Sequence, residues 1–393
     1  PPPRTSRARK PRKPKAENVI EPSEHRPLVL ANERLRLWST PYGLSRQQHS
    51  SQFLSHDVTN RLLDTMICAI EPDTRKNYGA GLLRFTQFCD CMHLSEDSRM
   101  PASELLVSAF VATWAGRVSK STIDTWLAGL AFWHALNGAA WPADRALRIT
   151  CSAALKLEPL KKPKRPPVTL EHMHALRARL DLTNAFDAAV YAVACCAFWG
   201  CRRLGELTIR SRNAFDPAKN VARHPRPTFK VLPGGAHYAC FHVPWTKTTK
   251  FAGADVILTA MTDPTDPKTA LDHHLRVNAA IPKDAPLFSF ETAQGGWAPM
   301  TRDWFLDRCN EVWVAEGLGR LSGHCFRIGG ATELLLRGTH PDVVATQGGW
   351  RSHAFLEYWR KIEAILPLFI SNSFDKSRLH LVEKSMAAFK KKY

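Results

Sequence analysis

The 393-residue chain is 44% hydrophobic and 9% aromatic, enough apolar material for real cores and too much for a wholly disordered protein. No stretch of about 18 uncharged apolar residues occurs and no secretory signal pattern opens the chain, so no membrane span is expected. With 54 basic against 36 acidic residues the formal charge is +18, which points to a polyanionic partner, either nucleic acid or an anionic membrane surface.

The length favours two domains plus tails. Residues 1–15 carry seven cations, from Arg4 to Lys15, and no acid, in a Pro-rich context that cannot fold. Residues 16–51 are polar and lack periodicity, so 1–51 is expected to be a disordered basic arm, serving nuclear import or contact with a DNA backbone. From about 52 to 156 the spacing becomes helical. A helix over 73–90, with Asp73 as N-cap, stacks Tyr78, Leu82, Phe85 and Phe88. A second over 102–115 uses Leu105, Leu106, Phe110, Val111 and Trp114. A third over 121–136 opens at Ser121 and stacks Ile123, Trp126, Leu127, Leu130 and Trp133, and a fourth covers 143–157. Together they predict a small helical bundle. Residues 157–167 hold four prolines and four cations, Lys161, Lys162, Lys164 and Arg165, and read as an interdomain linker.

Beyond the linker, 170–212 reads as helices and 228–260 alternates as strands. Ala239, Phe241, Val243 and Trp245 share one face, and a turn at 248–250 leads into a partner strand over 251–259. Helical spacing returns over 268–280, 301–316, 325–337, 341–347 and 353–365. A mainly α domain over 168–370 with a small antiparallel insert is expected, followed by an amphipathic helix within 371–393 built on Leu379, Leu381, Val382, Met386 and Phe389. The ten cysteines lie mostly in apolar segments and suit buried free thiols. Cys89, Cys91 and His93 lack a second ligand pair, so no metal is expected.

Four places carry polar groups suited to chemistry. Arg203 and Glu206 follow a very apolar helix. Lys247 sits at the predicted hairpin tip, with Lys250 as the alternative three residues on. His324 and Arg327 are one helical turn apart. Trp350 precedes Tyr358 by eight residues. Each piece recurs by chance in long sequences: an Arg-x-x-Glu pair is usually a solvated helix face, and a tyrosine in an apolar helix is usually core. Their order along the chain is what carries information.

In that order the chain resembles the tyrosine recombinase (phage integrase-like) superfamily. That signature runs arginine, hairpin lysine, His-x-x-Arg, His or Trp, then a nucleophilic tyrosine. Arg203, Lys247, His324, Arg327, Trp350 and Tyr358 fill it, with Glu206 at the acidic position after the first arginine. The match spans 203–358, and 52–156 is more weakly similar to the superfamily's helical core-binding (SAM-like) domain. Trp350 and the Ala354-Phe355-Leu356-Glu357-Tyr358 run look most like eukaryotic mobile-element recombinases, cryptons first and DIRS-type elements second.

The resemblance implies a mainly α fold, two domains closing as a C-shaped clamp on duplex DNA, and metal-independent cutting and rejoining without a cofactor. Arg203 and Arg327 would hold the phosphate, His324 would act as base or stabilise charge, and Lys247 would protonate the leaving 5′ oxygen. Trp350 would donate from its indole N–H, and Tyr358 would form a 3′-phosphotyrosyl link. Glu206 either buttresses a catalytic group or forms a surface ion pair worth ~0–1 kcal/mol. Arg75, Lys76, Lys120 and the linker cations Lys161, Lys162, Lys164 and Arg165 are the expected DNA contacts. The partners would be double-stranded DNA and further copies of the chain, a dimer on one site and a tetramer at synapsis, with the C-terminal helix docking on a neighbouring protomer or on its own domain. A nuclear mobile-element recombinase is the expected identity. The alternatives are a type IB topoisomerase-like activity and a domesticated, non-catalytic DNA-binding protein.

Overall fold

A computed structural model describes residues 19–160 and 163–350, together with Arg360, Glu363, Ile365, Leu366, Pro367, Lys384 and Ala387. The chain divides into two compact units, Pro1–Pro163 and Lys164–Tyr393. Among the described residues no helix is long and apolar enough to cross a membrane.

The first unit is helical, comprising α1 (Arg34–Leu37), α2 (Pro41–Ser50), α3 (His56–Cys68), α4 (Pro72–Cys91), α5 (Glu104–Trp114), α6 (Lys120–Leu136) and α7 (Arg145–Lys156). Several helices begin at a hydroxyl that accepts from the first turn: Ser55 for α3, Ser103 for α5 and Ser119 for α6. Two helices start earlier than the hydrophobic spacing suggests. Helix α4 starts at Pro72 rather than Asp73, because proline's fixed φ and missing N–H suit the first helical position. Helix α6 is capped by Ser119, not Ser121. The expected stripes otherwise form the core: Leu82, Phe85 and Phe88 meet Phe110, Val111, Ile123, Trp126, Leu130 and Trp133. Leu105 is the exception, at 80% exposed; the turn that begins at Ser103 points it to solvent and buries Val107 instead.

The disordered arm expected through residue 51 is corrected for residues 19–51, which fold against the bundle. Trp38 is 4% exposed, donates its indole N–H to the Pro27 carbonyl (3.0 Å), and accepts from the Trp133 indole on its own carbonyl (3.3 Å). Arg26 lies over both indoles, 5.6 Å from the Trp38 ring and 5.3 Å from that of Trp133, and pairs with Glu96 at 2.6 Å. These are single long-range anchors rather than a periodic stripe, which is why spacing misses them. Residues 1–18, with the basic arm's seven cations, lie outside the described residues. Trp38→Ala is expected to destabilise the first unit by about 3–5 kcal/mol, read as a lower denaturant midpoint.

The second unit is built around α9 (Ala185–Trp199), preceded by α8 (Leu170–Arg179). Residues 187–199 are all buried, so α9 is apolar on every side and sits at the centre. Its one carboxylate, Asp187, is held bidentately by Arg308 at 2.8 Å to each oxygen. Around it pack α10 (Leu204–Leu207), α11 (Pro267–Val277), α12 (Arg302–Ala315), α13 (His324–Leu336) and α14 (Pro341–Gly348). The β insert has three antiparallel strands in the order β1 (Thr228–Val231), β2 (His237–Val243), β3 (Ala254–Thr259). Val243 pairs with Ala254 and Tyr238 with Thr259, so Ala239, Phe241 and Val243 face the core beside Val256 and Leu258. The strands end earlier than the alternation suggested: Trp245 and Phe251 lie in the connecting loop. A two-residue pair, β4 (Phe290–Glu291) with β5 (Trp297–Ala298), was too short to show in the pattern. All ten cysteines are free; Cys89, Cys195, Cys196, Cys201, Cys309 and Cys325 are buried, whereas Cys68 and Cys91 are exposed.

Helix α13 comes unusually close to its neighbours. A Cβ at Gly329 would lie 1.9 Å from the Val168 carbonyl oxygen, and one at Gly330 1.8 Å from that of Phe198 in α9. Only glycine permits that approach. It seats the N-terminal end of α13, and with it His324 and Arg327, beside the C-terminal end of α9, where Arg203 emerges.

Candidate active site

Helix α9 ends in a tight reversal. Cys201 adopts φ 48°, a left-handed conformation rare for a side chain with a Cβ, and is fully buried. Its carbonyl accepts a hydrogen bond from Arg327 Nη1 at 2.8 Å, tying the turn to α13 across 126 residues of sequence. The same turn sends Arg202 and Arg203 in different directions. Arg202 is 3% exposed and reaches the Gln347 carbonyl at the end of α14 (3.4 Å). Arg203 stays nearly one-third exposed at the start of α10.

Glu206, 5% exposed, joins the two. Its Oε1 accepts from Arg203 Nη1 (3.0 Å) and its Oε2 from the Arg203 backbone N–H (3.3 Å). Arg202 Nε lies 2.9 Å from Oε2, an ion pair without the alignment of a hydrogen bond. This excludes the surface-pair reading of Glu206: one buried carboxylate is shared by two arginines and orients Arg203.

Arg327 is 1% exposed, and its guanidinium carbon lies 3.8 Å from the centroid of the Trp350 ring. Burial of this stacked pair makes the cation–π contact stronger than it would be in water. Trp350 is placed by the end of α14: Gly349 turns the chain at φ 67°, and the indole lies over Gly348, where a Cβ would fall 1.8 Å from the ring.

His324 opens α13 and is half-buried. Its pKa is pushed down, first by burial and then by Arg165, Arg327, Arg203 and Arg360. Four guanidinium groups therefore act on one imidazole, and the buried Glu206 pairs with one of them, Arg203. A lowered pKa favours the neutral imidazole. An NMR titration is expected to find its midpoint below the ordinary 6.5 and to see it rise at about 1 M salt, where the arginines are screened. A midpoint above 6.5 would contradict that arrangement.

Lys247 is exposed in the loop between β2 and β3. Thr246, 2% exposed, fixes the loop: its hydroxyl accepts from the Thr249 N–H (3.0 Å), and its backbone exchanges hydrogen bonds with Lys250 (3.2 and 2.9 Å). Lys250, at φ 53°, lays its ammonium 5.6 Å from the Trp245 ring. The two lysines are thus distinguished by geometry, one at the open tip and one turned onto an indole. Tyr358 lies outside the described residues, as do Lys161 and Lys162.

Arg202 and Arg360 carry no local sequence signal for the site, and Arg165 reads from sequence only as part of the linker. The Arg165 carbonyl accepts from Arg360 Nε at 3.4 Å, so both ends of the second unit's chain contribute to the cluster. Of the expected DNA contacts on the first unit, Lys76 pairs with Asp73 (2.6 Å) and Lys120 with Asp124, while Arg75 donates to the Ile70 carbonyl (3.0 Å). Each is therefore partly engaged within its own helix region.

No family model and no curated protein matches the sequence. Among solved structures, the XerH site-specific recombinase bound to palindromic difH substrate, in a post-cleavage complex, is similar with a TM-score of 0.50 at 14% identity, covering 90% of this chain and 92% of that one. The Tn1549 transposon integrase in complex with transposon right end DNA gives a TM-score of 0.47 at 13% identity, over 85% of this chain and 99% of that one. XerA recombinase gives 0.35 at 17% identity, over 82% and 100%. The likeness to XerH establishes the fold: this is a mainly α tyrosine recombinase fold with small antiparallel sheets.

Proposed function

We propose that the protein is a site-specific DNA recombinase that cuts and rejoins duplex DNA through a 3′-phosphotyrosyl intermediate on Tyr358. The observation that carries this reading is the seating of α13, which bears His324 and Arg327, against the end of α9, from which Arg203 emerges, with Arg203 oriented by a buried carboxylate and Arg327 by a backbone carbonyl.

The chemistry follows from that arrangement. In this reading the partly exposed Arg203 donates to a non-bridging oxygen of the phosphodiester and the buried Arg327 adds positive charge behind it, so both stabilise the charge that grows there during attack. The phenol oxygen of Tyr358 attacks phosphorus and gives its proton to neutral His324. A bond from phosphorus to the tyrosine oxygen forms as the bond to the 5′ oxygen breaks, and Lys247 supplies the proton that oxygen takes up. Rejoining is the reverse, with a 5′ hydroxyl as nucleophile. Trp350 holds Arg327 in plane by stacking.

The eukaryotic mobile-element reading, crypton-like and nuclear, rests on Trp350 standing eight residues before Tyr358 and on the basic arm. Assembly as a dimer on one site and a tetramer at synapsis follows from the same resemblance. Duplexes bound by the protein can be selected from a randomised library and cloned in pairs. Exchange of flanking markers between paired copies is the expected result. Relaxation of supercoiled circles with no exchange would instead indicate a topoisomerase-like activity.

A further inference from the structure

A second concentration of positive charge lies elsewhere in the second unit, between the segment entering β1 and the end of α11. A cavity of about 340 Å³ there is lined by the cations Arg223, Arg226 and Lys283 and by the apolar side chains Leu275, Ala279 and Ile281. That size falls at the lower end of the roughly 300–1,000 Å³ typical of small-molecule sites.

Arg223 sets this cavity apart from an ordinary basic surface. It is only 9% exposed, and its Nη1 is buried with no hydrogen-bond partner among the described residues. Its backbone is fixed: the Arg223 N–H donates to the Ala285 carbonyl (2.8 Å), and the Val221 carbonyl accepts from the Leu287 N–H (2.9 Å). Glu291 attracts the guanidinium electrostatically, but its Oε1 already accepts from the Ala280 N–H at 3.1 Å. Burial and the neighbouring Arg226 both work against the charge on Arg223. Arg276, also on the rim, pairs with Asp272 at 3.2 Å, whereas Arg226 and Lys283 are exposed at the mouth. A buried guanidinium with an open donor is costly unless an acceptor completes it.

We propose that this cavity binds a phosphate monoester carried on a small organic body, of the nucleoside monophosphate class. Arg223 and Arg226 take the phosphate, Lys283 adds charge at the mouth, and Leu275, Ala279 and Ile281 cover an apolar face of the ligand. Paired guanidiniums suit a dianionic phosphate. A recessed donor such as Arg223 suits a terminal phosphate that enters the cavity, whereas a duplex backbone is met by exposed side chains. The site shares no residue with the Arg203–His324–Arg327 cluster, and its test is independent of that cluster's role.

Calorimetry on the full chain with adenosine monophosphate, inorganic phosphate and adenosine tests the proposal. The monophosphate is expected to bind, with each of the other two about tenfold weaker or more. Arg223→Gln and Arg226→Ala are each expected to weaken the monophosphate by about tenfold, with unchanged thermal unfolding for the exposed Arg226→Ala. Four results would overturn it: no binding of the monophosphate, equal binding of inorganic phosphate, indifference to Arg226→Ala, or occupancy of the site by duplex DNA alone.

Discussion

Arg203→Ala is expected to slow strand cleavage by about 100- to 1,000-fold while changing duplex affinity by no more than a few fold. The rate effect is that of removing one preorganised donor from a site of developing negative charge. The affinity effect is small because a duplex is held by many cations, and losing one lowers the salt dependence by only about one unit of slope. Arg203 suits this experiment better than Arg327. Arg327 is 1% exposed and ties Cys201 to α13, so its removal confounds catalysis with folding. Arg203 is partly exposed, and its loss leaves Glu206 beside Arg202 at 2.9 Å. Cleavage of a nicked duplex under single-turnover conditions, with a native gel shift on the same preparation, separates the two quantities. Equal losses of rate and affinity would make Arg203 a DNA-holding residue and nothing more.

Gly330→Ala is expected to destabilise the second unit by about 3 kcal/mol, lowering its thermal midpoint by roughly 6–12 °C. Two effects compete. Alanine gains about 1 kcal/mol over glycine inside a helix. Against this, the new Cβ would stand 1.8 Å from the Phe198 carbonyl oxygen, and that atom belongs to the central helix and cannot rotate away. The clash wins, and α13 must retreat from α9. His324 and Arg327 ride on α13, so cleavage should fall more than stability alone explains. A midpoint equal to or above that of the parent would mean that the helices are less tightly seated than described.

What was legible in advance was whatever the chemistry places at short range. His324 and Arg327 share one turn of α13, and Arg203 and Glu206 share α10, so type and spacing announce them together. The β2–β3 hairpin of the insert was readable because Ala239, Phe241 and Val243 alternate, whereas β1 is short and mostly exposed and shows no such pattern. Arg202 was not, because its neighbour Arg203 already filled the expected position and its own role depends on Glu206 and the end of α14, 145 residues away. Arg165 and Arg360 were likewise hidden: their part in the cluster comes from the fold bringing residues 195 apart into contact. Residues 19–51 failed as a prediction for a related reason. Trp38 and Arg26 are held by Trp133 and Glu96, partners that no local window contains. Local pattern reports helices and strands; single anchors between distant segments leave no period to read.

The central claim is that one tyrosine becomes covalently joined to DNA. Protein incubated with nicked duplexes carrying selected binding sites should form an adduct that survives denaturation. Digestion and mass spectrometry should then locate the nucleotide on the peptide containing Tyr358. Tyr358→Phe should bind the same duplex and form no adduct. An adduct mapped to another residue, or one that persists undiminished in Tyr358→Phe, would contradict the account.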